Sequence, residues 1–348
     1  MSTLLELLQQ AFKLDASDIH LTVGVPPMLR IDGSLVPCSE KILSSQDTLT
    51  FVQDIMTADQ WEKYQNKGEL DFSYFVPKLG RFRVNAFRQQ GNHALALRTV
   101  ALCPPSLQEL GLPPVVRELA LRTGGLILVA GPTGSGKSTT LAGMINHINA
   151  ARRCHIITLE DPIEFIHKHN HSIVNQREIG RDTKTYASGL RAALREDPDV
   201  ILIGEMRDLE TISIAITAAE TGHLVLSTLH TTGAAQTIDR IVDVFPPYQQ
   251  NQIKLQLSNV LAGIISQKLL PRQCGKGRVA ALEILVANPA IRNLIREGKT
   301  HQIDSMIQIG GRYGMITMDK SLANLYHLGL ISYEQALAHV NNPKSLSN

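Results

Sequence analysis

In the first third of the chain, helical patterns of hydrophobic and polar residues stand beside short alternating patterns, which predicts a small domain of helices and strands. Residues 4–12 place apolar side chains on one helical face, and residues 42–65 also follow a helical pattern. Residues 81–88 alternate polar and apolar side chains and are expected to pair with residues 94–98 as a hairpin. The pattern therefore predicts an α+β domain over residues 1–100.

From residue 115 onward, apolar runs of strand length alternate with helical segments. The strand candidates are residues 126–130, 155–160, 200–205 and 223–229. This alternation is typical of an α/β domain whose mostly parallel sheet is covered by helices on both faces. The stretch between the domains, residues 101–114, contains two proline pairs and is predicted to be a linker. The second domain is expected to span residues 115–348, with a helical region over residues 288–348.

A glycine-rich loop lies between the first strand candidate of the second domain and a helical segment. Residues 131–138 satisfy the phosphate-loop pattern G-x-x-x-x-G-K-[ST] at every required position. A strand, a glycine loop and a helix N-terminus in this order point several backbone N–H groups at one place, which suits a nucleoside triphosphate. The residues predicted to hold the nucleotide are Gly131, Pro132, Thr133, Gly134, Ser135, Gly136, Lys137, Ser138 and Thr139. Lys137 is expected to reach the β- and γ-phosphates of ATP, and the Ser138 hydroxyl is expected to bind Mg²⁺.

Carboxylates follow two further strand candidates. Glu205 ends an apolar run, and Gly204 occupies the preceding position, where phosphate-loop ATPases usually carry an aspartate. Glu160, Asp161 and Glu164 cluster after the previous strand, and taken alone such a cluster is most often a solvated turn. Beside a magnesium–nucleotide site, carboxylates act as metal ligands or as a base that orients water. We predict that Glu205 holds the metal, directly or through water, that Glu160 and Asp161 support it, and that Glu164 orients the attacking water.

Two histidines bracket the last strand candidate. His223 precedes this apolar run and His230 follows it. A histidine at either end could sense the γ-phosphate or hold a catalytic loop, although packing is the more common role of an isolated histidine. We predict that His223 contacts the nucleotide and that His230 belongs to the catalytic group.

Charge and cysteine content exclude some classes of protein. The formal net charge is +2 and no long run of lysine or arginine occurs, so the composition gives no support for direct nucleic-acid binding. Cys38, Cys103, Cys154 and Cys274 are scattered without a C-x-x-C pair, which argues against a disulfide framework and suits a reducing compartment. Neither a signal-peptide pattern nor an apolar run of transmembrane length is present, and a cytoplasmic location is therefore expected.

Six motifs give the chain a resemblance to a known family along nearly its whole length. They are ASDIHL (16–21), RFRVNAF (81–87), GPTGSGKST (131–139), TLEDPIEF (158–165), LREDPDVILIGEMRDLET (194–211) and TAAETGHLVLSTLHTTGAAQTIDR (217–240). Through them the chain resembles the secretion NTPase superfamily and, within it, the type IV pilus retraction ATPases. The last three motifs match the Asp box, the Walker B motif and the His box of that superfamily.

The resemblance implies a specific architecture and additional site residues. The N-terminal domain would resemble a PAS fold and the C-terminal domain a RecA-like ATPase, with ATP bound between the two domains. Six identical chains would form a ring in which domain rotation does mechanical work. Arg83 and Arg98 match the arginines that the family's N-terminal domain brings to the phosphates, although alternation also permits them to be ordinary exposed strand residues.

The resemblance also favours one function, pilus retraction, among those of the superfamily. Residues 290–297, AIRNLIRE, match a C-terminal motif associated with pilus retraction. Assembly and type II secretion ATPases carry a four-cysteine zinc module late in the chain, where only Cys274 is found here. The implied function is a motor for pilus retraction at the inner face of the cytoplasmic membrane, acting through an integral platform protein and on pilin only indirectly. The alternatives are an assembly or type II secretion ATPase, a nucleic-acid-stimulated translocase, and an accessory nucleotide-binding subunit with weak turnover.

Overall fold

The computed structural model describes residues 3–14, 16–31, 33–77, 79–100, 104–275 and 277–346. It divides into two compact units. The first comprises Met1–Cys103 with Glu164–Ile166, and the second comprises Pro104–Ile163 with His167–Asn348. The first three residues of the predicted linker, which include Cys103, lie outside the described residues.

The first unit combines a six-stranded antiparallel sheet with helices, in the strand order β3-β2-β1-β6-β5-β4. Its strands are β1 (Asp18–Leu21), β2 (Met28–Ile31), β3 (Ser34–Pro37), β4 (Glu69–Val76), β5 (Gly80–Gln89) and β6 (Asn92–Val100). Its helices are α1 (Leu4–Lys13), α2 (Ser45–Ile55) and α3 (Ala58–Lys67). The α+β class predicted for this part of the chain is confirmed, and the predicted hairpin is formed by β5 and β6.

The helical pattern of residues 42–65 produces two helices instead of one. Met56 has an extended backbone and ends α2, and the Thr57 hydroxyl then accepts a hydrogen bond from the Gln60 N–H. Because the Gln60 side chain also reaches back to the Thr57 N–H, the two residues form a capping box that starts a new helix. The break therefore comes from local capping within a continuous amphipathic pattern.

The second unit contains a seven-stranded sheet in the order β13-β12-β7-β11-β10-β8-β9. Its strands are β7 (Gly125–Ala130), β8 (His155–Glu160), β9 (Ile173–Glu178), β10 (Val200–Ile203), β11 (Leu224–Leu229), β12 (Leu261–Pro271) and β13 (Arg278–Val286). Neighbouring strands are parallel except β12 and β13, so the predicted mostly parallel sheet is confirmed. The central strands are buried on both faces and separate two hydrophobic clusters.

Helices cover this sheet and continue beyond it. They are α4 (Pro114–Ala120), α5 (Lys137–Ala151), α6 (Tyr186–Ala193), α7 (Leu209–Glu220), α8 (Ala234–Asp243), α9 (Pro247–Val260), α10 (Pro289–Glu297), α11 (Ile303–Ile309), α12 (Met318–His327) and α13 (Tyr333–His339). The last four form the helical region expected after residue 288. None of the helices in the described parts of the chain combines the length and the hydropathy that spanning a bilayer requires.

The proline-rich stretch before α4 packs more closely than its sequence predicts. Leu107 and Leu112 are buried in the same hydrophobic cluster as Met144 of α5. The stretch from Pro104 to α4 accordingly counts with the second unit. The prolines prevent regular secondary structure, but the leucines between them still supply apolar surface for the core.

Candidate active site

The parallel register brings four chain segments to one edge of the second sheet. Ala130 at the end of β7 lies opposite Leu229 at the end of β11. Ile203 at the end of β10 pairs with Leu159 of β8 on one side and with Ser227 of β11 on the other. The glycine loop, the acidic segment after β8, the Gly204-Glu205 segment and His230 therefore all leave the sheet at its carboxyl edge. In open α/β sheets this edge is where ligands bind.

The glycine loop has a backbone conformation that suits phosphate binding. Gly134 and Gly136 have φ angles of +78° and +85°, which residues with a Cβ atom rarely adopt. Gly136 directly precedes α5 and, as a glycine, offers no side chain to cap this helix, so the helix N-terminus begins at the loop without a capping bond from its own N-cap residue. The Ser135 hydroxyl is buried and has no hydrogen-bond partner among the described residues. These features fit the oxygen-rich triphosphate of ATP.

Lys137 lies folded across the same loop. Its side-chain Nζ donates hydrogen bonds to the carbonyl oxygens of Gly131 and Pro132, at 2.8 Å and 3.0 Å. The residue is only 8% exposed, so its charge is held at the loop and not in bulk solvent. Phosphate oxygens offer anionic acceptors, which form stronger hydrogen bonds with an ammonium group than neutral carbonyls do. Ser138 follows on the exposed side of the first turn of α5.

Gln267 of β12 supports the loop and was missed by the sequence reasoning. Its Nε2 donates to the carbonyl of Ser135 at 2.6 Å, and its Oε1 accepts from the Thr140 hydroxyl at 2.8 Å. A Cβ atom at Gly131 would lie 2.4 Å from the Gln267 carbonyl oxygen, and one at Gly136 would lie 2.8 Å from Nε2. These two glycines are therefore required by the close approach of β12 as well as by phosphate binding. The available signal was a glutamine that follows an apolar run in the same strand.

Glu205 and His230, both predicted to act in catalysis, lie next to each other. Glu205 Oε2 is 3.4 Å from His230 Nε2 and 2.8 Å from Arg207 Nε. The Thr228 hydroxyl donates to the Gly204 carbonyl at 2.6 Å and fixes this segment against β11. A carboxylate and an imidazole thus lie side by side at the carboxyl edge of the sheet.

The glycine in place of the usual Walker B aspartate has a steric explanation. A Cβ atom at Gly204 would lie 2.9 Å from the Tyr186 hydroxyl and 3.3 Å from the Leu159 carbonyl oxygen. Burial raises the pKa of Tyr186, and the nearby carboxylates of Asp161 and Glu205 raise it further, so the phenol keeps its proton. Tyr186 therefore occupies the space that an aspartate side chain at position 204 would need.

We expect Gly204→Ala to destabilise the protein by about 1–3 kcal/mol, because overpacking a buried contact forces its neighbours apart. The measurement is the thermal midpoint together with ATP turnover. Gly311→Ala is the matched control, since a Cβ atom there meets no atom within 4 Å and the residue lacks a positive φ. Adding Tyr186→Phe should recover much of the loss by removing the crowded oxygen. Equal midpoints for the two alanine variants would contradict the steric explanation.

The two carboxylates at the end of β8 differ in burial and contacts from Glu205. Glu160 Oε1 accepts hydrogen bonds from the Thr158 hydroxyl at 2.6 Å and from Gln176 Nε2 at 3.1 Å, whereas Asp161 is exposed. Within the described residues, no three His, Cys, Asp or Glu side chains are placed to hold a metal ion. Mg²⁺ at phosphate-transfer sites takes few protein ligands and keeps water and phosphate oxygens, so Ser138 and Glu205 remain suitable. Their metal roles stay predictions.

Glu164 belongs to the first compact unit, which includes Glu164–Ile166. Its side chain is exposed. The N–H of the preceding residue, Ile163, donates to the buried carboxylate of Glu178 at 3.1 Å, which fixes the segment that leads to Glu164. Its predicted role in orienting water stays a prediction.

His223 lies at the opposite end of β11 from the glycine loop of its chain, and its predicted contact with the nucleotide stays a prediction. It precedes β11, whose first residue Leu224 pairs with Gly125 at the start of β7. The glycine loop follows the other end of β7, about 20 Å away at roughly 3.3 Å per residue. His223 Nδ1 lies 2.9 Å from the Ala218 carbonyl oxygen, which is a packing contact at the end of α7. A strand has two ends, and only the carboxyl end of a parallel strand faces this site.

Arg83 and Arg98 lie opposite each other in the β5–β6 hairpin of the first unit, and both are exposed. Arg98 Nε donates to Asp18 Oδ1 at 2.8 Å. Burial alone would raise the pKa of Asp18, but hydrogen bonds from Arg98 and Ser17 outweigh it and lower that pKa. The two arginines thus lie side by side on the hairpin, with Arg98 paired to Asp18, and their predicted contact with phosphates stays a prediction.

Comparison with known proteins shows the family of the chain. Residues 1–327 match the family model described as type II/IV secretion system protein. The chain is 49% identical over 340 residues to the type IV pilus retraction ATPase PilT of Pseudomonas aeruginosa, which is 98% of either chain. It is 50% identical over 321 residues to a twitching motility protein of Neisseria gonorrhoeae, covering 92% of this chain and 86% of that one.

Comparison of structures gives the same result. A crystal structure of the pilus retraction motor PilT with bound ADP superposes with a TM-score of 0.93 and 52% sequence identity, covering 100% of this chain and 99% of that chain. The similarity therefore includes both compact units as well as the glycine loop. The chain belongs to the type II/IV secretion system protein family.

Proposed function

We propose that the chain is an ATP-hydrolysing motor that powers the retraction of type IV pili. The observation that carries this proposal is the carboxyl edge of the second sheet, where the glycine loop with Lys137 lies on the same edge as Glu205 and His230. The similarity of nearly the whole chain to a pilus retraction ATPase supports retraction as the use of that hydrolysis. A site of this kind on a less similar chain would support ATP hydrolysis alone.

Each group of residues at the site has a different role in ATP hydrolysis. The backbone N–H groups of the glycine loop and the ammonium group of Lys137 bind the phosphates. Ser138 and Glu205 would hold Mg²⁺, which neutralises charge on the phosphate oxygens. Glu164 orients the attacking water, and the Glu205–His230 contact keeps that edge of the site in a fixed geometry. Arg83 and Arg98 supply positive charge to the transition state.

The working assembly in this proposal is a homo-hexameric ring. The N-terminal domain covers residues 1–100, the linker residues 101–114 and the ATPase domain residues 115–348. ATP binding and hydrolysis would rotate one domain against the other. The ring would act on the cytoplasmic side of the inner membrane, through an integral platform protein and without direct contact with nucleic acid.

A strain that lacks this chain provides the test. We expect it to display pili on its surface but to lose twitching motility, and plasmid-borne wild-type protein should restore that motility. Loss of surface pili would instead favour an assembly ATPase. Purified protein whose ATP turnover rises severalfold with DNA would favour a translocase.

We expect Arg83→Ala and Arg98→Ala to lower kcat about tenfold or more while nucleotide affinity changes little, because these cations would act on transition-state charge. Steady-state ATP hydrolysis and ADP titration provide the two measurements. Arg88→Ala is the matched control, since Arg88 lies in the same hairpin, on β5 with Arg83, but bonds Gln65 and covers Tyr64. Unchanged kcat in both arginine variants would show that they are ordinary exposed strand residues.

A further inference from the structure

Two consecutive polar residues of β12, Ser266 and Gln267, are each only 3% exposed. Successive side chains of a strand point to opposite faces of the sheet. We infer that these two residues are positioning residues that attach two different loops of the site to one strand. Gln267 holds the glycine loop, and Ser266, together with Glu283, holds the loop that follows His230. The inference rests on the proposed nucleotide-hydrolysing function.

Gln267 secures the glycine loop on both sides of Lys137. It bonds Ser135, two residues before the lysine, and Thr140, three residues after it. Both contacts are buried, so loss of the amide would leave a carbonyl and a hydroxyl without partners. Because β12 is paired in parallel with β7, with Ser266 opposite Ala130, the glutamine is fixed relative to the strand from which the loop emerges.

Ser266 and Glu283 secure the other loop through the N-terminus of α8. They face each other in the β12–β13 register. The Gly233 N–H donates to Ser266 Oγ at 2.9 Å, and the Ala234 N–H donates to Glu283 Oε1 at 2.7 Å. The N-cap residue of α8 is Gly233, which has no side chain to form a capping bond. Ser266 of β12 and Glu283 of β13 therefore provide the cap.

The segment between His230 and α8 is short and tied to the same cap. The Thr237 hydroxyl donates to the Gly233 carbonyl at 2.6 Å, and Thr231 Oγ1 lies 2.7 Å from Thr237 Oγ1. Movement of the helix N-terminus would therefore move His230 relative to Glu205. Removing the hydrogen bond of Ser266 or Glu283 should therefore alter hydrolysis, whereas removing the hydrogen bonds of Gln267 should alter the binding of phosphates.

The test compares Gln267→Met with Ser266→Ala in the full chain. Methionine keeps the length of the glutamine but removes both hydrogen bonds, and alanine removes the serine acceptor. Titration with a fluorescent ADP analogue gives Kd, ATP hydrolysis gives kcat, and the thermal midpoint reports folding. We expect Gln267→Met to raise Kd about tenfold with a smaller change in kcat, and Ser266→Ala to lower kcat about tenfold with Kd within about twofold.

Two further pairs of variants keep the inference testable if Gln267→Met folds poorly. Thr140→Val should raise Kd like Gln267→Met, and Thr140→Ser, which keeps the hydroxyl, should bind as the wild type does. Glu283→Gln keeps an acceptor for the Ala234 N–H and should retain more turnover than Glu283→Leu.

Four outcomes would overturn the inference. Variants that lower only the thermal midpoint would show a purely structural role. A change in the same constant for Ser266→Ala and Gln267→Met would show that the two residues do not serve separate loops. Wild-type protein that binds no ADP analogue would overturn the proposed function and this inference together, whereas normal wild-type binding with unaffected variants would overturn the inference alone.

Discussion

Replacing Lys137 with alanine is expected to abolish tight binding of ATP, raising Kd about a hundredfold or more. The Lys137 ammonium group is held at the mouth of the loop by the carbonyls of Gly131 and Pro132, so its charge is already positioned for phosphate oxygens. Alanine leaves the loop's N–H groups in place but removes that charge. Isothermal titration with ATP in the presence of Mg²⁺ measures the loss.

Lys320→Ala provides the control for this experiment. Lys320 is an exposed lysine on α12, outside the carboxyl edge of the sheet, and its removal changes the net charge by the same amount. We expect its affinity for ATP to match the wild type. If Lys137→Ala binds ATP as tightly as the control does, the phosphate-loop assignment is wrong.

The glycine loop was predictable because its information is local. The pattern from Gly131 to Ser138 specifies both the turn and the ligand within eight consecutive residues. The parallel sheet was predictable for a similar reason, since apolar runs that alternate with helical segments allow few arrangements. The hairpin that places Arg83 opposite Arg98 likewise followed from alternation between adjacent strands.

Contacts that depend on the order of strands in the sheet were not predictable. Gln267 reaches Ser135 only because β12 lies beside β7, and no local pattern encodes that neighbour. Gly204 is explained by Tyr186, which arrives from α6. The sequence shows that His223 and His230 bracket a strand, but not that only His230 lies at the end of that strand where the glycine loop emerges.

The sequence also did not show that the carboxylates differ in their contacts. The sequence groups Glu160, Asp161 and Glu164 in one segment, yet Glu160 is engaged by Thr158 and Gln176. Glu205, which the sequence presents alone, is the carboxylate that meets His230. The two candidates for direct roles in hydrolysis, Glu205 and Glu164, can therefore be separated by experiment.

Glu205→Gln and Glu164→Gln are both expected to lower kcat about a hundredfold or more, while ATP still binds, because each loses a charge that acts during hydrolysis. The two variants should differ in their response to Mg²⁺. If Glu205 holds the metal, raising the Mg²⁺ concentration should restore part of the turnover of Glu205→Gln. Glu164→Gln should gain nothing, since a water-orienting carboxylate cannot be replaced by more metal.

A third substitution removes a carboxylate that has no assigned role in the site. Glu210 is exposed on α7 and pairs with Arg191, so Glu210→Gln should hydrolyse ATP at the wild-type rate. Wild-type turnover in Glu205→Gln would exclude Glu205 from the reaction. Wild-type turnover in both Glu205→Gln and Glu164→Gln would mean that neither carboxylate carries the hydrolysis, and the motor would then need a different catalytic group at the same edge of the sheet.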